Sequence, residues 1–193
     1  LPSSLETISS NLFNGCVSLN QVTIPSSISS IEDRSFESCE ALKQITIPST
    51  TIEIGVNAFQ HCVSLIEVIF ELPSSVNNIN ESAFEGCISL EKVLLPTSLS
   101  TINEKVFFGC TSLKQITIPK QVTTISNFSF KNCSSLTEVN FENNSSLTQI
   151  GRGAFYQCSS LKKIELPTSL ITIDEYAFDK CTSLTEMTLH QSL

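Results

Sequence analysis

The sequence predicts a repeat solenoid, an elongated stack of similar units in which each unit contacts only its neighbours. Eight cysteines occur in the 193 residues at intervals of 23, 23, 25, 23, 23, 25 and 23 residues. In every unit, Phe stands three residues before the cysteine and Leu three residues after it. Because a period of roughly 20 to 50 residues is typical of stacked repeats, we expect one array of eight repeats of about 23 residues over residues 1–193. Repeats one to eight are numbered by their cysteines, which are Cys16, Cys39, Cys62, Cys87, Cys110, Cys133, Cys158 and Cys181.

The residues six and eight after each cysteine predict a short strand. They are apolar and most alternate with polar neighbours, as Ile45 and Ile47 do, so one face of the strand should point inward. Pro follows at the ninth position in five repeats. Since proline has no N–H group, it should end the strand. The Pro-Ser-Ser or Pro-Thr-Ser sequence that comes next predicts a turn.

Two further segments complete each repeat. A Leu-x-x-Ile segment, such as Leu99 to Ile102, predicts a second short extended stretch on the opposite side. Residues 174–181 predict one or two helical turns, because Phe178 and Cys181 are three apart and acidic residues come first. Two repeats carry two extra residues after a Phe-Glu pair, at 70–73 and at 141–144, and we expect loops there.

The cysteines predict a column of eight buried free thiols, not a disulfide framework. Residues at one repeat position stack roughly 4.8 Å apart with parallel side chains. A disulfide instead needs Cβ atoms about 3.8 Å apart that point towards each other. Because free cysteine packs well as a small apolar residue, the cysteine pattern does not discriminate between an oxidising and a reducing compartment.

The recurrent phrase resembles the BspA-like (Treponema pallidum-type) leucine-rich repeats over essentially the whole chain. Ala-Phe-x-x-Cys precedes a Leu-x-x-Ile-x-Ile strand, which ends in Ile-Pro-Ser-Ser. The resemblance implies a right-handed leucine-rich-repeat superhelix with a parallel concave β-sheet and short helical, 3-10 or extended segments on the convex side. It also implies a surface protein of bacteria or parasitic protists that adheres to host matrix, host cells or other microbes. The chain begins and stops within a repeat and shows no polar cap, so we expect it to be a fragment of a longer protein.

Charge and motifs exclude several classes of function. The formal net charge of −8 argues against nucleic-acid binding through phosphate neutralisation. No run of 18 apolar residues is present, so we expect no direct membrane insertion of this segment. His61 and His190 recur nowhere else in the period, and no phosphate-binding loop, Cys-x-x-Cys or Gly-x-Ser-x-Gly motif appears. The sequence therefore predicts no enzyme, no cofactor and no metal site.

The predicted partner-binding surface is the outward face of the strands, at the positions four, five and seven residues after each cysteine. They carry five lysines and five glutamates, so the net negative charge of the chain lies elsewhere. Ile66, Ile69 and Leu94 form an apolar spot, and exposed apolar clusters often mark partner sites. The alternative is that these residues only satisfy strand propensity. The candidate site comprises Gln44, Thr46, Ile66, Glu67, Ile69, Lys92, Leu94, Lys114, Gln115 and Thr117.

Aromatic residues suggest a second surface. Phe108 and Tyr156 lie two residues before their cysteines, and Phe128 and Tyr176 lie five before theirs. Positions three apart share one side of a helical turn, so these rings predict an aromatic stripe along repeats five to eight. The alternative is packing between neighbouring short helical segments.

These features favour a non-enzymatic protein-binding module of a cell-surface adhesin, which engages a matrix protein, a cell-surface protein or a glycan through its concave face. By resemblance, the expected location is the cell surface or the extracellular space; the alternative is an intracellular protein-interaction scaffold. Asn-x-Ser/Thr sequences are possible glycan acceptors in a secreted eukaryotic protein. They begin at Asn80, Asn127, Asn132, Asn143 and Asn144, of which the last two fall in an inserted loop.

Overall fold

The computed structural model describes residues 1–189, which form a right-handed parallel β-solenoid of about eight turns with strands on two sides and no helix among the described residues. The longer strands, each of four residues except the two-residue β7, form the concave sheet predicted from the repeat phrase. They are β3 (Gln44–Ile47), β5 (Glu67–Phe70), β7 (Lys92–Val93), β9 (Gln115–Ile118), β11 (Glu138–Phe141), β13 (Lys163–Leu166) and β15 (Glu186–Leu189). The remaining strands, each of two residues, lie on the other side. They are β1 (Thr7–Ile8), β2 (Ser30–Ile31), β4 (Glu53–Ile54), β6 (Asn78–Ile79), β8 (Thr101–Ile102), β10 (Thr124–Ile125), β12 (Gln149–Ile150) and β14 (Thr172–Ile173).

The longer strands pair in parallel with equivalent residues side by side. Ile45 lies beside Val68 and Ile47 beside Phe70, and all four side chains are buried. Ladder hydrogen bonds join β3, β5 and β7, then β9 and β11, then β13 and β15. Residues 20–24 of repeat one, which has a neighbour on one side only in this structure, are not in a strand. The predicted inward alternation is confirmed in repeats two to seven, since every residue six after the cysteine is buried there.

Glutamate replaces the strand-ending proline where the two insertions begin. The backbone N–H of Glu71 donates to the carbonyl of Ile47 at 3.0 Å, so the ladder continues one residue further. Its carboxylate accepts a hydrogen bond from the Ser49 N–H at 3.2 Å, and Glu142 makes the equivalent two bonds in repeat six. Residues 72–77 and 143–148 that follow contain no strand, as predicted for loops.

The two-residue strands confirm that the Leu-x-x-Ile segment is extended. Their isoleucines align in register from repeat to repeat, as Ile8 does with Ile31 and Ile31 with Ile54. All three are fully buried. Two such ladders, one joining β1, β2, β4 and β6 and one joining β8, β10, β12 and β14, hold the convex sides of their repeats together.

The predicted helical turns before the cysteines are wrong: residues 174–181 form successive tight turns. Ala177 N–H donates to the Asp174 carbonyl, and Cys181 N–H donates to the Phe178 carbonyl, a spacing of three residues. Other N–H groups of these stretches point to the next repeat, as Phe36 N–H does to the Ala58 carbonyl at 2.8 Å. Positive φ angles recur five residues and one residue before each cysteine, which interrupts any helix.

The phenylalanines three residues before the cysteines form one stack through the core. Neighbouring ring centroids are 5.1–5.8 Å apart and the rings are inclined by 3–19°. The six interior rings are fully buried, whereas Phe13 and Phe178, at the two ends of the described stack, are half-buried. Offset stacking of this kind adds to the free energy gained from burial alone.

All eight cysteines are free, as predicted, but seven are buried and Cys16 is exposed. The prediction of eight buried thiols is therefore wrong at repeat one, where no preceding repeat covers the thiol in this structure. Each buried Sγ donates to the carbonyl of the phenylalanine in the preceding repeat at 3.1–3.3 Å. Burial raises the pKa of Cys39 to about 11 and that of Cys87 to about 12, so these thiols are poor nucleophiles at neutral pH.

Candidate functional site

The concave face carries the ten predicted partner-binding residues on strands β3 to β9 and directly beside them. Gln44 lies beside Glu67, which lies beside Lys92, and Thr46 lies beside Ile69. Glu67 and Ile69 are half-buried, and the other eight are exposed. The structure therefore places these residues on one surface that spans repeats two to five, while their role in binding stays a prediction.

The predicted apolar spot on this face has two exposed members and one half-buried member. Leu94 is 62% exposed and Ile66 is 47% exposed, and they lie directly beside the ends of strands β7 and β5. Ile69 lies next to Thr46 in the ladder and is partly covered. Leu94 and Ile66 are thus the apolar side chains that a partner could cover.

Charged side chains around the apolar spot differ in how they are paired. Lys114 Nζ lies 2.6 Å from Glu91 Oε2, and the Gln44 amide donates to Glu67 at 3.2 Å. Lys43 and Lys92 form no ion pair with any carboxylate among residues 1–189. An exposed pair contributes little to stability, but an unpaired ammonium is available to an acidic group of a partner.

A shallow trough of about 470 Å³ lies further along the concave face and was not predicted from the sequence. No ladder hydrogen bonds join β11 to β13, and the trough lies across this interruption. Its wall includes Glu138, Asn140 and Lys162. The second insertion, which falls between these two strands, is the one sequence feature that coincides with it.

The described residues offer no arrangement suited to metal binding. Among residues 1–189 no three His, Cys, Asp or Glu side chains are placed to hold a metal ion. His61 packs against Gly86 of the next repeat, where a Cβ atom would lie 2.4 Å from His61 Nδ1. His190 lies outside the described residues. Residues 1–189 also contain no helix that is both long enough and apolar enough to span a membrane.

The predicted aromatic stripe is organised around a lysine that the sequence analysis missed. Lys131 Nζ lies 5.5 Å from the centroid of Phe108, 5.2 Å from that of Phe128 and 5.0 Å from that of Tyr156. The alternative of packing between these segments also holds in part, although they are turns and not helices, because the Phe128 ring lies against Gly153 of the next repeat. The period could have revealed the lysine, since it occupies the position of Phe108 and Tyr156 in the repeat between them.

The five possible glycan acceptors differ in accessibility. The Asn80 amide donates to Glu53 at 2.7 Å, and Asn132 Oδ1 is buried. Asn127 Oδ1 accepts a hydrogen bond from a backbone N–H at 2.9 Å. Asn143 and Asn144 are both exposed in the second inserted loop, so they are the sites that an enzyme could reach most easily.

The repeat geometry agrees with a family comparison. The BspA type leucine rich repeat region, with six copies, matches residues 1–114, 69–149 and 101–193. The chain belongs to the BspA-type leucine-rich repeat family. Comparison with curated protein sequences finds no match.

Solved structures of bacterial leucine-rich repeat proteins share the fold. A leucine-rich repeat protein from Bacteroides ovatus is 29% identical, with a TM-score of 0.70 over 98% of this chain and 60% of its own. The T. pallidum leucine rich repeat protein is 25% identical, with a TM-score of 0.52 over 74% of this chain and 75% of its own. A leucine-rich repeat protein from Eubacterium ventriosum is 24% identical, with a TM-score of 0.62 over 95% of this chain and 42% of its own. This BspA-type chain therefore spans about 60% of the length of its Bacteroides ovatus relative.

Proposed function

We propose that this chain is the protein-binding part of a cell-surface adhesin and that the concave face around Leu94 and Ile66 contacts the partner. The observation that carries the proposal is the exposure of these two apolar side chains among the mainly polar outward residues of repeats two to five. Apolar side chains within a polar rim are typical of the centre of a protein interface. The surface location rests on the family resemblance, which is an argument by analogy.

The charges beside the apolar spot define the chemistry of the partner. Lys43 and Lys92 form no ion pair with a carboxylate of residues 1–189. Lys43 is a direct neighbour of the apolar spot, because its backbone carbonyl accepts a hydrogen bond from the Ile66 N–H at 2.8 Å. A protein segment with an apolar side chain next to an acidic one would place its carboxylate near these ammonium groups. Such complementarity contributes chiefly to association rate and specificity.

Location is tested first, by antibody labelling of intact source cells and of permeabilised ones. The adhesin proposal expects labelling of intact cells. Labelling only after permeabilisation would contradict it and favour the intracellular scaffold.

The binding surface is tested with Leu94→Asp on a panel of immobilised extracellular-matrix proteins. We expect at least about a tenfold loss of affinity for any matrix protein that the unaltered chain binds, which corresponds to roughly 1.4 kcal/mol. The melting temperature should be unchanged, because Leu94 is 62% exposed. Ile69→Asp should also weaken binding, but its half-buried position makes Leu94→Asp the sharper probe.

Leu72→Asp is the matched control for this substitution. Leu72 is 72% exposed in the first inserted loop, so the same change of side chain and charge is made away from the concave face. Equal affinity of the unaltered, Leu94→Asp and Leu72→Asp chains would show that the apolar spot does not bind the partner.

A further inference from the structure

A second cluster of polar and aromatic side chains lies on the turns of repeats five to eight, away from the concave face. Its centre is the Lys131 ammonium, which lies over the rings of Phe108, Phe128 and Tyr156 at 5.0–5.5 Å. These residues come from three successive repeats. The stacking of the repeats therefore assembles the cluster, and no single repeat contains it.

Two more cations extend the cluster along the solenoid. Lys180 Nζ lies 5.1 Å from the centroid of Tyr156, and the Arg152 guanidinium carbon lies 5.4 Å from that of Tyr176. A hydrogen bond to Tyr156 raises the pKa of Lys180, which keeps this ammonium charged. Ring contacts restrict the positions of all three cations before any ligand arrives, and such preorganisation lowers the entropy lost on binding.

The cations of this cluster are only weakly neutralised by the protein. Lys131 and Lys180 form no salt bridge with a carboxylate anywhere in residues 1–189. Arg152 lies 4.0 Å from Glu175, whose side chain is 76% exposed. In a chain of net charge −8, three cations held in this way favour an anionic ligand at this surface.

The turn surface has a different net charge in repeats one to four from that in repeats five to eight, and the second half is the one that favours an anion. The comparison covers the six residues before each cysteine. In repeats one to four the charged residues are Asp33, Arg34, Glu37, Glu81 and Glu85, a net charge of −3. In repeats five to eight they are Glu104, Lys105, Lys131, Arg152, Glu175, Asp179 and Lys180, a net charge of +1.

A trough of about 510 Å³ adjoins the cluster and shares Lys180 with it. Hydroxyl groups follow the cysteine in each repeat along the trough, roughly one every 4.8 Å. The other lining side chains are Thr111, Ser134, Ser159 and Thr182, with the amides of Asn132 and Gln157. A row of hydroxyl and amide groups with one short period fits a polymer of hydroxyl-bearing units.

Backbone groups at these turns are not available to a peptide strand. Phe128 N–H donates to the Arg152 carbonyl at 3.0 Å, and Asn132 N–H donates to the Tyr156 carbonyl at 2.8 Å. Gln157 N–H likewise donates to the next repeat at 2.9 Å. Because peptide strands are recognised through free backbone groups at a sheet edge, recognition at this surface has to use side chains.

We propose that the turn surface of repeats five to eight binds an acidic polysaccharide. Carboxylate or sulfate groups of the polymer contact Lys131, Arg152 and Lys180, and sugar hydroxyls bond to the Thr, Ser and amide groups of the trough. The site is separate from the concave face, so it adds a second ligand to the proposed protein partner.

The test measures binding of the 193-residue chain to three polysaccharides by biolayer interferometry. Heparin carries sulfates, polygalacturonate carries carboxylates alone, and dextran is neutral. We expect binding to one or both acidic polymers, weakening as salt is raised, and none to dextran. The acidic polymer that binds more tightly identifies the preferred anion, and no binding to either acidic polymer would overturn the proposal.

Three variants locate the site. Lys131→Gln and Lys180→Gln should each weaken binding about fivefold, the ratio for one exposed ionic contact. Tyr156→Leu should also weaken binding although it removes no charge, because its ring holds two of the ammonium groups. Circular dichroism and the melting temperature establish that each variant is folded.

Lys43→Gln is the matched control, since it makes the same change of charge on the concave face. It should bind the acidic polymer as the unaltered chain does, and so should Leu94→Asp. A loss with Lys43→Gln equal to that with Lys180→Gln would show diffuse electrostatic attraction and overturn the proposal. Binding of poly-glutamate as tightly as the polysaccharides would overturn it in favour of an acidic peptide.

Discussion

At the scale of single residues, backbone conformation at two positions shapes every repeat. Positive φ angles occur five residues and one residue before each cysteine, in glycine and asparagine but also in Lys105, Phe128 and Gln157. Such a conformation costs an L-residue roughly 1–2 kcal/mol relative to the right-handed region. The inter-repeat hydrogen bonds of the same turns offset this cost.

Gln157→Gly should therefore stabilise the protein. Gln157 is exposed and has a φ of 59°, so glycine removes the conformational cost without removing a buried side chain. We expect the free energy of unfolding to rise by about 1 kcal/mol, measured by urea denaturation. Gln60→Gly, in a turn of repeat three but without a positive φ, should instead lower it; the same sign for both variants would contradict the explanation.

Phe107→Ala should be among the most destabilising single substitutions. Its ring is fully buried between Phe84 and Phe130, at centroid distances of 5.8 and 5.4 Å. Removing a buried ring of this size costs about 3–5 kcal/mol. The neighbouring Phe108→Ala, which removes a half-buried ring over Lys131, should cost roughly 1 kcal/mol; urea denaturation of both variants compares them directly.

At the scale of repeated elements, the thiol column makes stability depend on pH. The folded chain holds seven thiols in the protonated form, with pKa values such as about 11 for Cys39 and about 12 for Cys87. Unfolded cysteines ionise near pH 8.5. Above that pH the unfolded chain loses protons that the folded chain keeps, so the free energy of unfolding should fall until the pH exceeds the folded pKa values.

Urea denaturation between pH 8 and pH 10 in reducing buffer measures this dependence. Each buried thiol contributes a slope of up to about 1.4 kcal/mol per pH unit. Cys87→Ala should therefore make the curve shallower, and Cys16→Ala, which replaces an exposed residue, should not. A flat curve for the unaltered chain would contradict the burial of the thiols.

Sequence periodicity predicted the strands, the inserted loops and the core columns because each depends on burial at a fixed spacing. Phe, Cys and Leu are constant at their positions in all eight repeats. The turns were mistaken for helices because Phe and Cys three apart suit both structures. The distinguishing feature is the positive φ, and residues such as Arg34 and Tyr176 at those positions have no preference for it.

At the scale of the whole molecule, each repeat is stabilised by its neighbours. Leu113 is fully buried between two repeats, whereas the equivalent Leu19 in repeat one is only half-buried. Leu113→Ala should lower the free energy of unfolding by about 2–5 kcal/mol, and Leu19→Ala by less than half as much. Hydrogen exchange should show the strongest protection in the central repeats; equal losses for both variants would contradict this picture.

Contacts between repeats explain which parts of the candidate sites could not be predicted from the sequence. Placement of residues on the concave face follows from the strand pattern, so their grouping was predicted from the sequence. The cluster around Lys131 depends on contacts between side chains of three repeats. Such contacts depend on rotamers and turn conformation, which a periodic pattern does not specify.

The two interruptions of the concave ladder, between β7 and β9 and between β11 and β13, bear on mechanical load. Ladder hydrogen bonds run along the solenoid axis, so a pull on the two ends loads every boundary in series. The boundaries with fewest bonds would part first. Each freed repeat releases roughly 75 Å of extended chain, so a chain pulled from its two ends would lengthen in discrete steps of about that size.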